Sequence, residues 1–119
     1  MVSDRKFSPM PNIKVYIDED IFAAHKTAVT QTLVPLRDSV VRHLGAPQSA
    51  CQVALVPVVA LKDQPTANIE MHIMPHPDRT REVITAMGAE IQTILRDVIG
   101  APIAFRCVQL DPATYVALK

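Results

Sequence analysis

The chain has 119 residues, is 49% apolar, and sets twelve Lys+Arg against twelve Asp+Glu for a formal net charge of zero. A chain of this length buries about two thirds of the surface its unfolded form exposes, so it holds one compact domain without a disulfide framework or structural metal. The charge balance lacks the Lys and Arg excess that phosphate backbones and anionic membranes require, which sets nucleic acid and membrane surfaces aside as partners.

The first residues, Met1-Val2-Ser3-Asp4-Arg5-Lys6-Phe7, are charged where a signal peptide is apolar, and no window approaches the ~20 apolar residues that span a bilayer. Cys51 and Cys107 have no C-x-x-C or Cys/His ligand spacing, so reduced, packed thiols and a cytoplasmic location are expected. Residues 1–10 read as an N-terminal extension and residues 11–119 as a single domain. The domain divides into repeat one (11–61), repeat two (67–110) and a C-terminal tail (111–119).

Each repeat opens on an apolar alternation of period two, Ile13, Val15 and Ile17 in the first and Ile69, Met71 and Ile73 in the second, which predicts a strand. Helical spacing follows. Val29, Leu33, Leu36, Val40 and Leu44 form one stripe, and Val83, Ile84, Met87, Ile91, Ile94, Leu95, Val98 and Ile99 form the other. Pro35 inside the first stripe predicts a kink, and Asp78 is placed to cap the second helix. Gly45 and Gly100 stand where a helix needs a left-handed terminal residue, with Pro47 and Pro102 just beyond. A further apolar run follows each proline, Gln52 to Leu61 and Ala104 to Leu110.

Self-similarity ties the halves together. The segment from Leu44-Gly45-Ala46-Pro47 to Leu55 echoes that from Ile99-Gly100-Ala101-Pro102 to Leu110, as Ile13 to Ile17 echoes Ile69 to Ile73. The expected fold is α+β: two tandem β-α-β units, parallel within each unit, making a four-stranded sheet with two helices on one face. The other face is expected to be rich in Val, Ile and Leu and to be covered by self-association.

The run Met10-Pro11-Asn12-Ile13-Lys14-Val15-Tyr16-Ile17 resembles the start of the tautomerase superfamily, in which removal of Met exposes a proline amine. The helix, Leu44-Gly45-Ala46-Pro47, the second strand, the duplication and the tail Leu110-Asp111-Pro112 look most like the fused members, the 5-carboxymethyl-2-hydroxymuconate isomerases. The resemblance covers nearly everything from Met10 onward. It implies a homotrimer with a small pocket beside the first strand, Pro11 as catalytic base, and a small carboxylate substrate. It also directs attention to Arg79 and Arg81, at the helix start where related proteins hold a carboxylate, and to His76 nearby as an assisting substrate-binding group.

The chemistry is sound on general grounds. An α-amino group titrates near 8, and an apolar pocket lowers it further, giving a base that takes up and returns a proton at neutral pH. Guanidinium forks bind carboxylates bidentately, and a helix N-terminus adds partial positive charge.

The sequence departs from the family pattern in three respects. Pro11 is not terminal, so with Met1 to Met10 attached its nitrogen is an amide without a basic lone pair: translation starts at Met10, the extension is trimmed, or the protein is catalytically silent. The arginines that small tautomerases carry on the second strand and at the first helix start align with Gln52 and Ile21. Only Arg79 remains at the equivalent helix start of the second half, which favours a single carboxylate. With three glycines and no phosphate-binding motif, no cofactor is expected. His72, His76 and Asp78 lack a fourth ligand, so no metal is expected. Two readings stand: a cofactor-independent isomerase of 2-hydroxy-enol or keto acids, or a non-catalytic oligomeric module, tautomerase-like or ferredoxin-like, that binds a small ligand.

Overall fold

A computed structural model describes residues 11–118. The elements run β1 (Asn12–Asp18), α1 (Glu19–Ala24), α2 (Lys26–Thr30), α3 (Leu33–Leu44), a 3-10 turn (Gln48–Ala50), β2 (Gln52–Val58), β3 (Ala67–Ile73), α4 (Arg81–Ile99) and β4 (Ile103–Gln109). Their sheet has the order β2-β1-β3-β4. β1 and β2 are parallel, as are β3 and β4, and the two units meet along an antiparallel β1–β3 seam. A ferredoxin-like sheet splits each β-α-β unit around a strand of the other. The direct β1–β2 pairing removes that alternative.

The core lies between one face of the sheet and the helices. Ile13, Val15 and Ile17 of β1 and Ile69, Met71 and Ile73 of β3 are essentially inaccessible. They pack with Leu36 and Val40 of α3 and Met87, Ile91 and Leu95 of α4. Gly45 and Gly100 end their helices at φ 65° and 62°, where a side chain would be strained.

The structure corrects four expectations. The first helix is not kinked at Pro35 but divided upstream, at His25 and at Gln31–Thr32. Pro35 falls in the first turn of α3, where its missing N–H has no intrahelical partner to lose. The cap of α4 is Thr80, whose hydroxyl accepts the Val83 N–H at 3.2 Å, so Asp78 and Arg79 precede the helix. The repeat echo slips out of phase after each proline. The 3-10 turn lengthens the first connection, so Val53, opposite Ile13, corresponds to Phe105, opposite Ile69, rather than to the half-exposed Val108.

The fourth concerns the open face of the sheet, whose middle strands present Asn12, Lys14, Tyr16, Asn68, Glu70 and His72 rather than a uniform apolar surface. Alternation dictates this, since the Ile, Val and Met positions of β1 and β3 are all spent on the helix side. Ala54, Val56 and Val58 on β2 and Ala104 and Val108 on β4 flank that polar strip.

Candidate active site

Pro11 stands directly before β1 and is buried, and its carbonyl accepts the Gln52 N–H at 3.0 Å. The parallel register places Asn12 beside Gln52 at the start of β2. The antiparallel register places it beside His72 near the end of β3. One end of the sheet therefore gathers the start of repeat one and the strand-to-helix loop of repeat two. Met10 lies outside the described residues.

A cleft of about 430 Å³ opens there, between α3 and the start of β2, lined by Leu33, Val34, Arg37, Cys51, Gln52 and Val53. Arg79 approaches the same end from the loop before α4, donating from its guanidinium to the Met74 carbonyl at 2.8 Å. Burial lowers its pKa, opposed by the Cys51 and Cys107 thiols, without discharging so strong a base. Burial pushes the Cys51 thiol up, and Arg37 and Arg79 act against it. Cys107 is pushed up to about 11 by burial, with Arg79 acting against it. Both cysteines are free thiols.

Arg37 is the residue that the sequence reading missed. Its signal was an interruption: it occupies a position of the α3 stripe between Leu33 and Val40, where a long cation breaks an otherwise apolar face. Among the described residues, the Nε atoms of Arg37 and Arg79 are buried without a hydrogen-bond partner. A buried charged donor left unpaired is costly, and such groups are satisfied when an anion is bound.

The other expected site residues lie further out. Arg81, the first residue of α4, is exposed and lines a separate cleft of about 510 Å³ between α4 and β4, with Gly88, Phe105, Cys107 and Gln109. His76 is exposed, and its Nδ1 accepts the Asp78 N–H at 3.2 Å. Of the three sequence candidates for holding a carboxylate, Arg79 is the one with its Nε buried. No helix among the described residues is long and apolar enough to cross a membrane.

Paired parallel β-α-β units joined along an antiparallel seam, with the helices on one face, define a tautomerase-like fold. No protein-family model matches the chain, and no curated protein matches it in sequence. Solved structures share the fold. A macrophage migration inhibitory factor-like protein from Entamoeba histolytica superposes with a TM-score of 0.71 at 13% identity, over 91% of this chain and 95% of that one. A fused 4-OT wild-type asymmetric trimer gives 0.67 at 16% identity over 89% of this chain and 91% of that one. A native fused 4-OT gives 0.63 at 17% identity over 82% and 87%. At these identities the likeness is one of fold.

Proposed function

We propose that the chain is a cofactor-independent tautomerase of the fused, 5-carboxymethyl-2-hydroxymuconate isomerase-like kind, moving a proton on a small 2-hydroxy-enol or keto acid. The observation that carries this reading is the cleft between α3 and the start of β2, whose Gln52 bonds the buried Pro11 carbonyl, with the buried, unpartnered Nε atoms of Arg37 and Arg79 beside it in support. Pro11, once its nitrogen is a free amine, is the base. The burial of Pro11 disfavours the protonated form of such an amine, which is the direction a base requires. It takes the enol hydroxyl proton, and the resulting ammonium delivers that proton to a carbon of the same conjugated chain, so no proton is gained or lost. Arg79 holds the substrate carboxylate and neighbours the developing oxyanion, while Arg81 and His76 serve the outer rim.

Self-association in threes accords with fold neighbours described as fused 4-OT trimers. Two free thiols suit a reducing compartment. The amide at Pro11 in the 119-residue chain favours one second reading, in which the same cleft is an anion-binding module without turnover.

Ketonisation of phenylenolpyruvate and 2-hydroxymuconate tests the choice. A chain beginning at Pro11 is expected to exceed the 119-residue form and a Pro11→Ala counterpart by about 10²–10⁴-fold, the usual worth of a positioned base. Equal rates in all three rule Pro11 out.

A further inference from the structure

The open face of the sheet carries a carboxylate that its neighbours leave unpaired. Glu70 on β3 stands in register between Lys14 on β1 and Arg106 on β4, where either cation could neutralise it. Neither does. Lys14 donates from Nζ to Asn12 Oδ1 at 2.6 Å, and Arg106 donates to the carboxamide oxygen of Asn68. Asn68 in turn donates from Nδ2 to Glu70 Oε2 at 2.9 Å. That bond orients the carboxylate and leaves its other oxygen without a partner among the described residues. No cation among those residues is within ion-pair distance of Glu70.

Glu70 forms one wall of a cavity of about 610 Å³ between the sheet and the segment that joins the two repeats, and it is the one charged group among the described lining residues. Tyr16 supplies an aromatic ring, and Val59, Leu61 and Pro65 supply an apolar side. The joining segment is held in place. Lys62 reaches Asp18 at 2.8 Å and Asp20 at 3.1 Å, while Thr66 accepts the Asp18 N–H and donates to the Pro102 carbonyl. Tyr16 is near the end of β1 and Pro11 precedes its start, so this cavity and the Pro11 cleft occupy opposite ends of the sheet.

A single oriented carboxylate, a tyrosine ring and an apolar loop together suit an organic cation. The carboxylate makes a charge-assisted hydrogen bond to an ammonium, the ring attracts the same charge through its quadrupole, and the loop covers the attached carbon. We propose that this cavity is a separate binding site for a small organic ammonium ion, with its charge on Glu70 and the Tyr16 ring and its apolar part on Val59 and Leu61. Arg106, linked to Glu70 through Asn68, opposes the ligand charge, so binding is weak, on the order of millimolar. The site does not depend on whether the Pro11 nitrogen is ever a free amine.

Titration of the isotope-labelled 119-residue chain with benzylammonium, and with benzyl alcohol as its uncharged counterpart, tests this by amide chemical shifts in NMR spectra. Shifts are expected at Tyr16, Val59, Leu61 and Glu70, with the ammonium bound at least about fivefold tighter than the alcohol. Glu70→Gln should bring that ratio to within about twofold of unity. Tyr16→Leu should weaken the ammonium by about two- to fivefold, and Tyr16→Phe, which keeps the ring, should not. Glu70→Gln preserves shape on a partly exposed position, so it keeps the test if Tyr16→Leu disturbs the strand.

Absence of binding, equal affinity for ammonium and alcohol, a preference that survives Glu70→Gln, or shifts confined to the Pro11 end overturns the proposal.

Discussion

Gly88 lies in the middle of α4 against the ring of Phe105, and replacing it with alanine probes how tightly the helix is seated on β4. A Cβ at Gly88 falls 2.5 and 2.6 Å from two Phe105 ring carbons and 3.1 Å from a third, so the ring or the helix must move. Overpacking of this kind costs about 1–3 kcal/mol, and the gain in helix propensity from glycine to alanine returns up to ~1 kcal/mol. The expected net loss is roughly 1–2 kcal/mol, which for a domain of this size lowers Tm by roughly 4–8 °C. Thermal and urea unfolding followed by circular dichroism at one fixed protein concentration measure it, since association also shifts apparent stability. With Phe105→Ala the obstruction is gone, and Gly88→Ala should become neutral or stabilising by up to ~1 kcal/mol. The two substitutions are therefore coupled by about 2 kcal/mol. An identical cost of Gly88→Ala in both backgrounds refutes the contact as its cause.

Two further outcomes follow from titrating groups. Glu90 accepts from Ser39 at 2.6 Å and from Arg42, so its carboxyl is held below the usual glutamate range. The folded chain thus binds this proton less readily than the unfolded chain; its contribution is complete above the ordinary glutamate range and is lost as the pH falls through the depressed value. Urea midpoints of Glu90→Gln should fall less between pH 6 and acid than those of the parent, and parallel profiles would show the clasp between α3 and α4 to be idle. Cys107, with a thiol pushed up to about 11, should alkylate with iodoacetamide at pH 8 far more slowly folded than unfolded; equal rates would contradict its burial.

The parts of the fold that the sequence made legible are those governed by local rules. Gly45 and Gly100 had to end helices because a positive φ suits glycine alone, and the period-two runs at Ile13 and Ile69 could bury only one face. Relations between segments were less legible. The phase of β2 depends on the turn at Gln48–Ala50, which a residue-by-residue match to the second repeat passes over. The breaks at His25 and Gln31–Thr32 are set by how the chain from β1 is fitted over the sheet, and no proline or glycine marks them. At the site, Arg79 was legible from its place before a helix. Arg37 was hidden within an apolar stripe, because which cation in a stripe turns toward a cleft is decided by packing at the end of the neighbouring strand.

The antiparallel seam between β1 and β3 also separates two tasks along the molecule's length. Residues 59–66, which tie one half to the other, cross the end remote from Pro11, with Lys62, Asp63, Gln64 and Pro65 facing solvent. Added length in such a bridge carries a small entropic penalty that grows only logarithmically. That bend is consequently the natural port for a grafted tag or reporter, because a change of span there leaves the opposite pole, where Pro11 meets Gln52, undisturbed.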